Sequence, residues 1–151
     1  MAVRHAFPHV ALERIEAAIA AGERTHCAQL CVAIESALPV TRVLKHLSPR
    51  ERALEVFGLL RVWDTEENSG VLVYLLLADR DVEIVADRGI HRVVGDAGWK
   101  SICERMEASF RAGNYADGVV TGVAEISRLL AQHFPRVGEG PNELADKPVI
   151  L

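Results

Sequence analysis

Two apolar runs joined by a charged tip set the pattern of this chain. Residues 71–78 are apolar, Asp79-Arg80-Asp81 interrupt them, and the β-prone run 82–87 follows. Runs of this length bounded by turn residues predict buried strands, and the short polar tip predicts a hairpin. Upstream, residues 28–35 form another strand in which Leu30, Val32 and Ile34 point one way and Cys31, Ala33 and Glu35 the other.

Elsewhere the period is helical. Val10, Leu12, Ile15, Ala18 and Ile19 predict an amphipathic helix over 10–21, ended near Gly22. Residues 40–47 make a short, partly helical connection. Ser48-Pro49-Arg50-Glu51 is the clearest local signal, a capping box in which Ser and Glu side chains satisfy N–H groups that have no helical partner. The helix it opens carries Ala53, Leu54, Phe57 and Leu60 and should end by Asp64, with 65–70 a polar connection into the hairpin. After the hairpin, Gly89, Gly95 and Gly98 mark an exit loop. Asp96 is then expected to cap a helix holding Trp99, Ile102, Cys103, Met106 and Phe110, stopped at Gly113. A turn at 114–118 leads to a last helix through Val119, Val123, Ile126, Leu129 and Leu130 to about His133. Gly122 suits close helix packing.

Strand, helix and strand make a βαβ unit, so 28–35 and 71–78 should run parallel with a right-handed crossover, and 82–87 should return antiparallel. The fold class is α/β, a small mixed sheet with helices on both faces. One domain is expected over 1–134, with an extended tail over 135–151. In that tail Val149-Ile150-Leu151 either add an edge strand or lie over the surface.

Composition narrows the function classes. The net charge of −4 provides no global field for nucleic acid or an anionic membrane. The longest apolar run is too short to span a bilayer, and the start lacks the hydrophobic core of a leader. Three cysteines without framework spacing fit a reducing compartment, so the expected location is cytoplasmic. His26-Cys27-x3-Cys31 lacks the second ligand pair that structural zinc needs, and Cys31 and Cys103 read as small core residues. There is no Cys-x5-Arg loop and no Gly-rich loop ending in Lys after a strand.

The acidic residues Asp64, Glu66, Glu67, Asp79, Asp81, Asp87 and Asp96 surround the hairpin. Hard cations take several oxygen ligands from converging loops. The topology divides these acids into two groups: Glu35 with the hairpin tip, and Asp64, Glu66, Asp87 and Asp96 at the opposite edge. The second group is the metal candidate, for Ca²⁺ or Mg²⁺, and no organic cofactor is expected. The bland alternative has the aspartates in turn hydrogen bonds and caps, the glutamates solvated, and Asp87-Arg88 paired with each other. Trp63 and Trp99 read as core edges.

The stretches Asn68-Ser69-Gly70-Val71-Leu72-Val73-Tyr74, Ala78-Asp79-Arg80-Asp81-Val82-Glu83-Ile84 and Gly89-Ile90 resemble the core of the TPM domain. Phe110-Arg111-Ala112-Gly113-Asn114-Tyr115, continuing through Gly118 and Gly122-Val123, resembles that family's later F-R-x-G-x-Y element. The resemblance spans roughly residues 10–134. It implies an α/β/α sandwich on a small mixed sheet, in a family that includes proteins of photosystem II repair, membrane-attached bacterial proteins and receptor accessory proteins. It also implies acid phosphatase activity for some members and divalent binding at acidic loops for others. Asp87-Arg88-Gly89 stands where many members have Gly-x-Gly, and the chain resembles the short, soluble, cytosolic branch.

The expected function is therefore a soluble binding or accessory module that holds a divalent cation at acidic loops and acts through a protein partner. The alternatives are a metal-assisted phosphomonoesterase and a purely structural, homo-oligomerising domain.

Overall fold

The computed structural model describes residues 2–138, 140 and 142–151. The apolar runs form the centre of a four-stranded sheet. Strand β1 (Gln29–Glu35) is buried throughout, as is β2 (Gly70–Leu76) after the crossover, and the two pair parallel from Gln29 against Gly70 to Glu35 against Leu76. Strand β3 (Asp81–Ala86) returns antiparallel to β2, and β4 (Val149–Ile150) pairs parallel with β1 at Ala33 and Ile34. The order is β3-β2-β1-β4, so the tail supplies an outer strand instead of lying over the surface.

Strict alternation along the strands makes two cores. Leu30, Val32, Ile34, Val71, Val73 and Leu75 face one of them, together with Ile15 and Ile19 of α2 (His9–Glu23). Cys31, Ala33, Leu72, Tyr74 and Leu76 face the other, covered by Ala53 and Val56 of α4 (Pro49–Leu59). On the first face α2 is joined by α5 (Arg88–Arg111) and α6 (Tyr115–His133), which carry Met106, Phe110, Val119 and Val123 into the core. Two short helices complete the chain: α1 (Val3–Ala6), which the apolar spacing did not signal, and α3 (Val40–Leu44), which buries none of its residues.

The capping box forms as read: Ser48 Oγ accepts from Glu51 N–H at 3.1 Å and Glu51 Oε2 from Ser48 N–H at 3.0 Å. Beyond the hairpin the structure differs from expectation. The exit loop is itself helical: Asp87 caps the first part of α5, its Oδ1 accepting from Arg88 N–H at 2.7 Å, and the part that carries Trp99 follows a break at Gly95. Gly95 kinks the helix with φ 71° and ψ −177°, a conformation that L residues rarely adopt. Gly89 serves close approach: a Cβ there would sit 2.7 Å from the carbonyl oxygens of Glu67 and Asn68. Gly118 lies inside α6, so 114–118 is not a free turn. Strand β2 ends at Leu76, two residues earlier than the apolar run suggests, and Arg80 takes a φ of 49° in the turn that follows.

Candidate functional site

The outer edge of β3 is the least conventional part of the sheet. Asp87 N–H donates to Gly70 C=O at 2.8 Å, so the bonds to β2 fall on the odd-numbered residues of the returning strand. The N–H and C=O groups of Val82 and Ile84 therefore face away from the sheet. Side chains from both covering layers reach in to meet two of them. Glu107 on α5 accepts from Val82 N–H at 3.0 Å, and Arg50 in the first turn of α4 donates to Ile84 C=O at 2.6 Å. Val82 C=O and Ile84 N–H, which lie between these contacts, have no hydrogen-bond partner among the described residues.

This edge lines a cavity of about 460 Å³ between the start of α4 and one face of α5. Glu83, Asp96, Glu104 and Glu107 line it against Arg50 and Lys100, so acids outnumber bases. Arg50 Nη1 is also 3.8 Å from Glu83 Oε1. Trp99 forms part of the wall. It is 5% exposed, and its indole Nε1 is buried without a partner.

Carboxylates crowd the mouth of the groove. Burial, with the neighbouring Glu83 next, pushes Asp81 up to about 7. Glu107 is raised as well, by burial and by the charge of Asp81, against the Val82 N–H that lowers it. Cys103 is half-buried in the same groove. Burial and then Glu107 push its thiol up to about 12, the wrong direction for a nucleophile.

At the C-terminal end of β1 lies a second polar constellation, of which the sequence pointed only to Glu35. Glu35, buried at the strand end, is gripped by Arg52 of α4 and accepts from Tyr74 Oη at 2.5 Å. Arg52 also meets Glu55, which pairs with Arg42 of α3. Every member has a partner, so this network ties β1, β2, α3 and α4 together and leaves no group poised for chemistry. A carboxylate closing the apolar, fully buried run that follows Gln29 was the signal for it, since such a charge requires a partner.

The four acidic residues expected to share a metal are separated. Asp64 pairs with Arg61 at 2.9 Å on the surface. Glu66 is exposed, and its N–H donates to Glu143 of the tail at 3.1 Å. Asp87 does sit with the 64–70 loop, as expected, but as the cap of α5. It meets Arg88 through that residue's backbone N–H, and no Asp87–Arg88 ion pair forms among the described residues. Asp96 lies at the β3 groove, 3.8 Å from His91. The physical reason is the early start of α5. Seven helical residues, 88–94, carry the chain roughly 10 Å from the cap before the kink at Gly95, and Asp96 comes out at the β3 groove instead of the loop. Among the described residues no group of three or more His, Cys, Asp and Glu side chains is placed to hold a metal ion. As a ligand set for Ca²⁺ or Mg²⁺, these four residues do not fit. The zinc spacing disperses too, with His26 fully buried and Cys27 exposed. Trp63 is about half exposed under Arg61, whereas Trp99 is a core edge as read.

A mixed sheet in the order β3-β2-β1-β4, covered by helices on both faces, places the protein among three-layer α/β/α sandwiches. Within that class the chain belongs to the TPM domain family, whose family model matches residues 5–129. The solution structure of the BA42 protein from the psychrophilic bacterium Bizionia argentinensis is similar, with a TM-score of 0.84 and 26% identity over 95% of this chain and 94% of that one. The N-terminal domain of a protein from P. gingivalis shares the fold, with a TM-score of 0.69 and 22% identity over 88% of this chain and 83% of that one. No curated protein matches in sequence. No helix among the described residues is long and apolar enough to cross a membrane.

Proposed function

We propose that this TPM domain is a binding module that recruits a protein partner at the β3 edge and carries out no chemical step there. One observation carries the reading: a strand edge with Val82 C=O and Ile84 N–H unpartnered, set in a walled groove and not in flat solvent-facing surface. Open edges are templates for another chain, and adding an extended segment to one is a common mode of peptide recognition. The cytoplasmic location belongs to the same proposal, supported by three unpaired cysteines.

The test is selection of displayed random decapeptides on the intact protein, repeated with Ile84→Pro. Proline removes the unpartnered Ile84 N–H, on the outward side of the strand where an edge tolerates it. Binders that lose the variant, with its thermal midpoint close to wild type, support the module. No binders, or binders indifferent to the variant, overturn it.

A divalent cation remains as a second reading, now centred on Asp87 alone. Its support is that Asp87 Oδ2 is buried without a partner beside the 64–70 loop. Calorimetric titration of chelator-treated protein with Ca²⁺ and Mg²⁺ tests it. Binding lost in Asp87→Asn but kept in Asp96→Asn supports a cation there, and no heat with either ion removes it.

A further inference from the structure

The pattern of used and unused groups along β3 specifies more than an open edge. A strand that pairs antiparallel takes both the N–H and the C=O of one residue. Glu107 already holds the Val82 N–H and Arg50 already holds the Ile84 C=O, so an antiparallel guest would have to evict one of them. A parallel guest needs a different pair. One of its residues donates to the C=O before its partner and accepts from the N–H after it. For a guest residue opposite Glu83, those two groups are Val82 C=O and Ile84 N–H, the two that are free. The guest fits between Arg50 and Glu107 without disturbing either.

The register also sets side chains. A residue opposite Glu83 places its side chain on the same face of the sheet as the Glu83 carboxylate, so a cation there forms a cross-strand pair and shares that carboxylate with Arg50, 3.8 Å away. Its neighbours turn to the α5 face, where Trp99 and Cys103 line the groove and the Trp99 indole N–H is an unused donor. The acids Glu83, Asp96, Glu104 and Glu107 outnumber Arg50 and Lys100 around the same space. Asp96, Glu104 and Glu107 on α5 face a single base of their own helix, Lys100, so a cation on the guest is favoured over an anion.

We infer that the groove takes an extended peptide segment of a partner protein, running parallel to β3, with a Lys or Arg opposite Glu83 and small or β-branched residues on either side. This rests on the binding-module reading above and names the partner's chemistry. Side chains that only guard an edge against pairing are the plain alternative. They do not account for an unpartnered indole N–H in the wall, nor for a free pair matching one parallel residue.

The experiment uses the intact, ¹⁵N-labelled protein and two blocked octapeptides, one alternating Thr and Lys and one alternating Thr and Glu. Amide shifts and hydrogen exchange are followed at Val82 and Ile84. The expected result is saturable binding of the Thr–Lys peptide at least tenfold tighter than the Thr–Glu peptide. Exchange should slow at least tenfold at Ile84 and stay unchanged at Val82, whose N–H Glu107 already holds. Glu83→Gln should cost the Thr–Lys peptide several-fold in affinity. Equal binding of both peptides, or new protection at Val82, overturns the inference about charge or direction while leaving a binding edge in place. If neither peptide alters the Ile84 amide, both the inference and the module at this edge fall, and Arg50 and Glu107 are edge guards.

Discussion

Arg52 holds the Glu35 carboxylate at both oxygens, Nε to Oε1 at 2.9 Å and Nη2 to Oε2 at 2.9 Å, with both side chains buried. This fork is the strong geometry for such a pair. Removing only the cation strands a buried charge, so Arg52→Met should cost about 3–5 kcal/mol. Urea melts measure it, and a loss under 1 kcal/mol would mean that water reaches Glu35. Burial alone would raise the Glu35 pKa, but the hydrogen bonds from Arg52 and Tyr74 outweigh it and leave it below the ordinary 4.5. Its contribution to stability is thus complete above pH 4.5 and is lost as pH falls through the lower folded value.

Asp81 works in the opposite direction. Its folded pKa of about 7 exceeds the ordinary 3.8, so the folded state holds the proton more tightly, and its contribution to stability is lost as pH rises from 3.8 through 7. Asp81→Asn should therefore raise the thermal midpoint relative to wild type at pH 8, and that advantage should shrink steadily below pH 7 and vanish near pH 3.8. Parallel midpoint curves for the two proteins would show that Asp81 is solvated and ordinary.

His26 adds a second, opposed titration. The ring is fully buried with neither nitrogen partnered, and burial pushes its pKa from 6.5 down to about 4. The unfolded chain takes up a proton first, so stability falls as pH drops from 6.5 towards 4, at most about 1.4 kcal/mol per pH unit. Against His26→Phe, which cannot titrate, wild type should lose ground steadily over that window in urea melts. An unchanging difference would place the imidazole in contact with water.

Gly89 is a tight spot of a different kind. A methyl group there meets the backbone oxygens of Glu67 and Asn68, which belong to the loop that also receives the Gly89 N–H at 3.0 Å. Backbone cannot swing aside as a side chain can. Gly89→Ala should cost about 1–3 kcal/mol, a typical overpacking penalty. Calorimetric unfolding would reveal it, and a neutral variant would show that the loop can retreat.

The strands were legible because their physics is local. Burial on both faces makes β1 and β2 near-continuous apolar runs, and Ser48 with Glu51 spells its cap within four residues. The groove was not legible, since Arg50 and Glu107 reach Ile84 and Val82 across sequence separations of 34 and 25, and no spacing rule connects them. The start of α5 was missed for a different reason. Glycines usually mark loops, but Gly89 is there for contact and only Gly95 breaks the helix. Placing Asp96 beside Asp87 followed from that error, because a loop would have kept the two together and a helix drives them apart.

The segment after α6 is fastened to the body at its far end by Val149 and Ile150 along β1, and at its near end by Arg136, which donates to Glu23 C=O at 2.6 Å and to Gly140 C=O at 2.8 Å. A proteolytic nick between these moorings would let the last strand drift off. Strand β1 would then lose its outer pairing at Ala33 and Ile34, and a bared strand edge is a template for another copy of the chain. The final residues thus cover the β1 edge at Ala33 and Ile34, on the side of the sheet opposite the groove.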